Sequence, residues 1–197
     1  MVADTNEISN NLIDITPNNS YIRWNETKDK ILVCSFFNGN YSNSYPIDTD
    51  VKINWGEMWV TVIPELKDKM KSFNVDASQV KLRVEQLLGL PANTKNTHIV
   101  EFWVNPNDLF RPAPDREISD KTAQIVFTNF SDSLYQKWYS DNVFASYYMG
   151  KSYPWTRLGY TYDWGNSKTE IGLSEFVIWR GSTIHIVSVT KLEDYLK

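Results

Sequence analysis

Apolar residues gather in short runs along this chain, with polar stretches between them. "ILVCSFF" (Ile31–Phe37) and "MWVTVI" (Met58–Ile63) are rich in β-branched and aromatic residues and predict two strands. Pro64 suits the first position of a helix, and Leu66, Met70 and Phe73 recur along it at i, i+4 and i+7. A second helix is signalled by Asp76 with Gln79 as a capping box. Val80, Val84, Leu87 and Leu88 form its buried stripe, and Gly89 with Pro91 end it. "HIVEFWV" (His98–Val104) and "AQIVF" (Ala123–Phe127) predict further strands. Ser131 to Met149 predicts a third helix, with Leu134, Trp138, Ala145 and Tyr148 on its buried side and Gly150 as its stop. "GLSEFVIWRGSTIHIVSV" (Gly172–Val189) reads as a hairpin: two strands apolar on both faces, joined by a turn at Arg180-Gly181. Strands and helices mix without a regular βαβ rhythm and glycine is scarce. The expectation is therefore an α+β fold, one domain with a mixed or antiparallel sheet and about three helices.

The first twenty residues are polar and Asn-rich and are expected to be loosely ordered, leaving 21–197 as the globular domain. At 197 residues the chain can bury one substantial core. Its charged fraction of 22% is ordinary, but 14% aromatic residues with eight Trp is high, and such rings stack on sugars, bases and nicotinamide as well as filling cores. A net charge of −4 argues against a nucleic-acid partner, which would need a basic surface. Cys34 is the single cysteine, which rules out an intramolecular disulfide and suits a buried, inert thiol. No run approaches the ~20 apolar residues of a membrane span. The start lacks the plan of a signal peptide and fits either a cytoplasmic start or a mature exported chain, export being the favoured expectation.

Neither a dinucleotide-binding nor a P-loop glycine motif occurs, and no G-x-S-x-G elbow. His98 and His185 are far apart and both fall in strands, so no metal site is expected. What remains are three polar–aromatic stretches: "NPNDLFRPAPDREISD" with Phe110 and Arg111, "YPWTRLGYTYDWG" with rings around Thr156, Arg157 and Asp163, and Glu175 opening the C-terminal hairpin.

These stretches resemble ADP-ribosyltransferases and related NAD glycohydrolases. In that family a catalytic Glu heads a strand, three apolar residues lead to a Pro-Arg-Gly or Pro-Pro-Gly turn, and a second strand rich in hydroxyl and β-branched residues follows. Glu175, "FVI", "WRG" and "STIHIVSV" have that spacing. "LFRPAPDREI" resembles the place where cholera- and pertussis-type toxins carry an Arg after an aromatic residue. The short separation of Arg111 from Glu175, and the tail "KLEDYLK", are more similar to the tuberculosis necrotizing toxin group of NAD glycohydrolases. The resemblance covers 105–197. "LLGLP", "EFWV" and "PWTRLGYTYDWG" are also similar to bacterial proteins of unknown function, which implies no chemistry.

The resemblance implies NAD as substrate rather than as a bound cofactor, a secreted-toxin type of enzyme, and an inhibitory protein as a partner. Cleavage of the nicotinamide–ribose bond passes through an oxocarbenium-like transition state, and the leaving group is already cationic. Glu175 would then offset developing positive charge. Arg111 would grip the pyrophosphate with its planar fork. Tyr160, Tyr162 or Trp164 would stack on the nicotinamide, with Phe110, Thr156 and Arg157 completing the NAD-binding set. Two features depart from the pattern. The family's Ser-Thr-Ser strand is missing between Phe127 and Gly172, and Leu173 stands where a protein-modifying transferase carries Glu or Gln. The second departure favours hydrolysis over ADP-ribosyl transfer.

Structural roles stand beside these. Glu175 can pair with Arg180 or Arg157, Arg111 can bond Asp108 or Asp115, the rings can be core, and Asp163 can be a turn acceptor. Two other functions fit the composition: a non-enzymatic module with an aromatic carbohydrate- or peptide-binding surface, and an exported interaction protein with an aromatic hot spot.

Overall fold

The computed structural model describes residues 3–128, 132–149 and 153–197. Strand β1 (Ile31–Phe37) pairs along its whole length with β4 (His98–Val104), Ile31 opposite Val104 and Phe37 opposite His98. Side chains alternate across a strand, so β1 feeds two cores at once. Ile31, Val33 and Phe37 enter one, while Leu32, Cys34 and Phe36 enter the other. With β2 (Asp50–Lys52), β3 (Met58–Val62), β5 (Leu109–Phe110), β8 (Phe176–Ile178) and β9 (Thr183–Lys191), they form a seven-stranded antiparallel sheet in the order β2-β9-β4-β1-β3-β8-β5. A separate ribbon joins β6 (Tyr160–Tyr162) to β7 (Ile171–Ser174). The α+β, mainly antiparallel expectation holds.

The C-terminal hairpin does not form. The two runs lie apart in the sheet, β8 between β3 and β5 and β9 between β4 and β2, with β4, β1 and β3 between them. β8 is buried throughout and β9 buries Ile184 and Ile186, and each lies between two other strands rather than pairing with the other. The turn after β8 gathers the two sheet edges: Trp179 N–H donates to Asp108 O (3.2 Å) and Gly181 N–H to Ile53 O (2.7 Å). Gly181 takes φ +99°, a conformation that only glycine adopts without strain. The sheet therefore curls around an inner core that includes Val33, Val62, Phe102, Phe176 and Ile186.

Helices cover the outer face. α1 (Glu65–Ser72) buries Leu66 and Met70, α2 (Val80–Leu87) buries Val84 and Leu87, and both meet Leu32, Phe36 and Ile99 from the sheet. Asp76 makes no side-chain cap. A 3-10 turn at Ala77–Gln79 intervenes instead, with Gln79 N–H on the Asp76 carbonyl. The last turn, α4 (Leu192–Tyr195), closes the same layer.

Helix α3 (Ser133–Tyr148) is capped by the Asp132 carboxylate, which accepts the Tyr135 N–H at 2.8 Å. Ser131 and Gly150, the expected start and stop, lie outside the described residues. The buried face differs from the expected one. Tyr135 and Tyr139 are buried with Trp138 beside them, while Leu134 (78% exposed) and Tyr148 (75%) face outward. Aromatic residues surround most of this helix, so periodicity alone does not select a side. The face that wins carries the Tyr135 hydroxyl, which donates to the carbonyls of Arg111 and Ala113.

Two further differences follow from tertiary context. "AQIVF" is not a strand: Ala123 plugs a small cluster with Leu12 and Leu158, while Val126 and Phe127 are exposed. A β-rich run without a partner edge stays irregular. The N-terminal segment, expected to be loose, is tied down. Leu12 and Ile15 are buried, and the N–H groups of Leu12, Ile13 and Ile15 donate to Lys121 O, Ser174 Oγ and Ile118 O.

Candidate functional site

On the outer face of the sheet, beneath α3, lies a cavity of about 350 Å³. Trp59 and Thr61 form its floor, as the outward positions of a strand whose Met58, Val60 and Val62 point into the inner core. Leu88 to Leu90, following α2, supply one wall. Asn142 and Ser146 of α3 and the segment Tyr153–Trp155 supply the other. Trp59 and Trp155 meet edge to face at 5.8 Å, and the Tyr147 hydroxyl donates to the Trp155 carbonyl, tying α3 to the rim.

Glu175 opens into this cavity from the break between β7 and β8. Phe176 and Ile178 turn inward, so Glu175 and Val177 turn outward. The Glu175 N–H donates to Gly159 O at 2.9 Å, which fixes its backbone. Its Oε2 is shut off from solvent and has no hydrogen-bond partner. No arginine or lysine forms an ion pair with it among the described residues, so the expected alternatives, Arg180 and Arg157, are not its partners. Burial alone pushes its carboxyl up to about 8, keeping it largely protonated at neutral pH.

A second carboxyl stands behind the cavity wall. Glu65, in the first turn of α1, accepts the Ser174 N–H on both oxygens (3.0 and 3.1 Å) and the Thr61 hydroxyl on Oε2 (2.9 Å). Burial pushes it up to about 7, against the pull of the Ser174 and Thr61 hydrogen bonds and of Lys69.

The other residues singled out in the sequence do not converge on Glu175. Arg111 is wholly buried and lines neither this cavity nor the next one. Its Nε and Nη2 donate to the carbonyls of Glu117 (2.9 Å), Asp120 (2.8 Å) and Ile13 (3.4 Å), and the Asp120 carboxylate lies 3.8 Å away. Burial lowers its pKa to about 10, so it stays charged at neutral pH. Its stem lies against Gly159, where an added Cβ would come within 2.4 Å of Arg111 Cδ. Arg111 thus supports the backbone that receives Glu175. Phe110 is also buried, meeting Tyr135 and Trp138 edge to face and Trp179 at a tilt.

Thr156, Arg157, Tyr160 and Tyr162 line a second cavity, of about 240 Å³, which shares Pro154 and Trp155 with the first. Glu7 and Glu170 border it too. Thr156 Oγ1 donates to Tyr160 O (2.5 Å), and Arg157 lies over the Tyr147 ring at 5.0 Å. Trp164 is outside both cavities, its Nε1 donating to Leu90 O at 2.9 Å. Asp163 is held by Arg83 through two hydrogen bonds (2.7 and 2.6 Å) and also accepts the Gly165 N–H, as its turn reading anticipates.

Cys34 reaches the cavity but is buried, and burial pushes its thiol up to about 12, away from the reactive thiolate. Among the described residues no group of three or more His, Cys, Asp or Glu is placed to hold a metal ion, and no helix is long and apolar enough to cross a membrane. Sequence reasoning missed Trp59, Thr61, Glu65 and Trp155. The alternation in "MWVTVI" marks Trp59 and Thr61 as one face, but Glu65 reads there only as an acid in a first helical turn.

Comparison with known protein families, with curated proteins and with solved structures yields no match.

Proposed function

We propose that the protein is an NAD-consuming glycohydrolase whose Glu175 cavity receives the nicotinamide–ribose end of the dinucleotide. The observation that carries this reading is the Glu175 carboxyl, buried in an aromatic-walled cavity with one oxygen unpartnered and no cation beside it. Unsatisfied buried polar groups are costly, and a cationic ligand supplies what this one lacks. A positive charge in the cavity favours the carboxylate and draws its proton off. The same carboxylate then offsets charge on the ribose as the nicotinamide bond breaks. Trp59 and Trp155 offer faces for a flat cation.

The cavity lies at the small end of ligand-site sizes, roughly 300–1,000 Å³, and suits one half of a dinucleotide. Among the described residues no Lys or Arg lines it, and Arg111 is committed to the fold. The phosphates therefore belong outside it, toward the adjoining cavity that Thr156, Arg157 and Tyr160 line. Leu173 is fully buried at the position where a transferase handles its acceptor, which favours water as the acceptor. Toxin-type export and an inhibitory partner belong to the same proposal.

The test is nicotinamide release from NAD, followed by chromatography, for the wild type and Glu175→Gln at matched thermal stability. Turnover in the wild type that is lost in the folded variant is the expected result, and no turnover in either overturns the NAD reading. The partly exposed Trp59 (36%) and Tyr153 (55%) at the cavity favour a second reading, a non-enzymatic sugar- or peptide-binding module. That reading predicts binding lost in Trp59→Ala and retained in Glu175→Gln.

A further inference from the structure

We infer that Glu65 is a positioning residue that keeps Glu175 unpartnered by holding the hydroxyl of Thr61, which lines the same cavity. The inference rests on Glu175 being the working group of the cavity, but its test needs no ligand. The geometry begins with strand register. Val60 of β3 pairs antiparallel with Phe176 of β8; the next residues beyond that pair are Thr61 and Glu175, and both line the cavity. Directly opposed side chains on one face lie about 5 Å apart at Cβ, close enough for a hydroxyl and a carboxyl to meet. A threonine has a single O–H to donate. That hydroxyl is given to Glu65 Oε2 at 2.9 Å, and Glu175 Oε2 is left with nothing.

Glu65 is held for this role from two sides. The Ser174 N–H, one residue before Glu175, donates to both of its oxygens, so the same carboxyl fixes the chain at the strand break. Ser174 Oγ in turn receives the Ile13 N–H of the N-terminal segment. The charged and titratable groups acting on Glu65 or acted on by it are Lys69 of its own helix, Tyr21, Cys34 and Arg111. None of these has a resolved effect on Glu175, where burial stands as the sole cause.

The experiment is carboxyl carbon NMR of the whole protein, labelled at glutamate, with the Glu175 signal assigned by its loss in Glu175→Gln. In Glu65→Gln the side-chain amide donates to Thr61 Oγ, freeing the hydroxyl to turn to Glu175. The Glu175 midpoint is expected to fall by about one pH unit, because a hydrogen bond to the charged form favours it. Thr61→Val is expected to leave that midpoint where it is in the wild type. The double variant, lacking the hydroxyl, is expected to match Thr61→Val. An unmoved midpoint in Glu65→Gln overturns the inference. So does a fall that persists in the double variant, which would trace it to lost negative charge rather than to the hydroxyl. Should Glu65→Gln not fold, Thr61→Val reads the same bond from the other side. There the Glu65 midpoint is expected to rise while Glu175 stays, with Thr61→Ser restoring the wild-type value. A rise at Glu175 instead overturns the inference. Failure to cleave NAD leaves all of these outcomes readable.

Discussion

Arg111 and Glu175 are both ionisable side chains with polar atoms shut off from water, and the fold treats them in opposite ways. Arg111 is surrounded by acceptors: carbonyls from the N-terminal segment and its own loop, the Asp120 carboxylate, and the Phe176 ring 5.4 Å from its guanidinium carbon. Only its Nη1 lacks a partner. Glu175 has its backbone fixed at Gly159 but, among the described residues, no cation beside its carboxyl. A buried ion wrapped in partners is part of the architecture, because removing it strands the groups around it. A buried carboxyl left without a counter-charge costs stability, and it persists where the surrounding structure enforces it for another purpose. The same chain thus contains a charge that holds the fold together and an acid that the fold leaves without a hydrogen-bond partner on one oxygen.

The largest effect that would sharpen this contrast is in pH. The folded Glu175 carboxyl is raised to about 8 from an ordinary 4.5, so the folded state binds its proton more tightly than the unfolded chain does. Its stability contribution is fully present below the ordinary carboxyl range and is lost as pH rises through about 8. Urea unfolding of the wild type should therefore weaken between pH 5 and 9. Glu175→Gln should remove a share of that loss on the order of 4 kcal/mol, making the variant the more stable protein at pH 9. A variant and wild type with parallel pH profiles would show that the Glu175 carboxyl is solvated.

Removing the partnered ion should do the reverse. Arg111→Met is expected to destabilise by about 3 kcal/mol at all pH values between 5 and 9, lowering Tm by roughly 6–12 °C in calorimetry. A change below about 1 kcal/mol would break the comparison. Tyr135→Phe removes the hydroxyl that satisfies the carbonyls of Arg111 and Ala113 and should cost about 1–2 kcal/mol in the same measurement. Leu134→Gln, on the outward face of α3, should change stability by less than about 0.5 kcal/mol. A large loss there would restore the helix face expected from the sequence.

The site was legible in part. Glu175 draws attention because an acid interrupts an apolar run, and Arg111 because it follows "LF" between proline-rich turns. Their roles are not written locally. Groups that bear on them come from far along the chain: Ile13 at Arg111, Thr61 and the cavity walls at Glu175. Thr156, Arg157, Tyr160 and Tyr162 lie together, yet around a neighbouring cavity that shares Pro154 and Trp155 with the first. Glu65 carries no distinguishing signal in the sequence, since its partners, Thr61 and Ser174, are joined to it only by folding.

By itself the sequence determined the elements whose signals are local. β1, β3 and β4 follow from dense β-branched and aromatic runs, and α1 and α2 from helical spacing with a glycine at the end of α2. Tertiary structure alone decided that β8 and β9 part company, that 123–127 stays irregular, and which side of α3 is buried. It also decided that Arg111 is partnered while one Glu175 oxygen is not. Local spacing sets the period of a segment, whereas strand pairing, desolvation and hydrogen-bond partners depend on what distant segments bring to the same place.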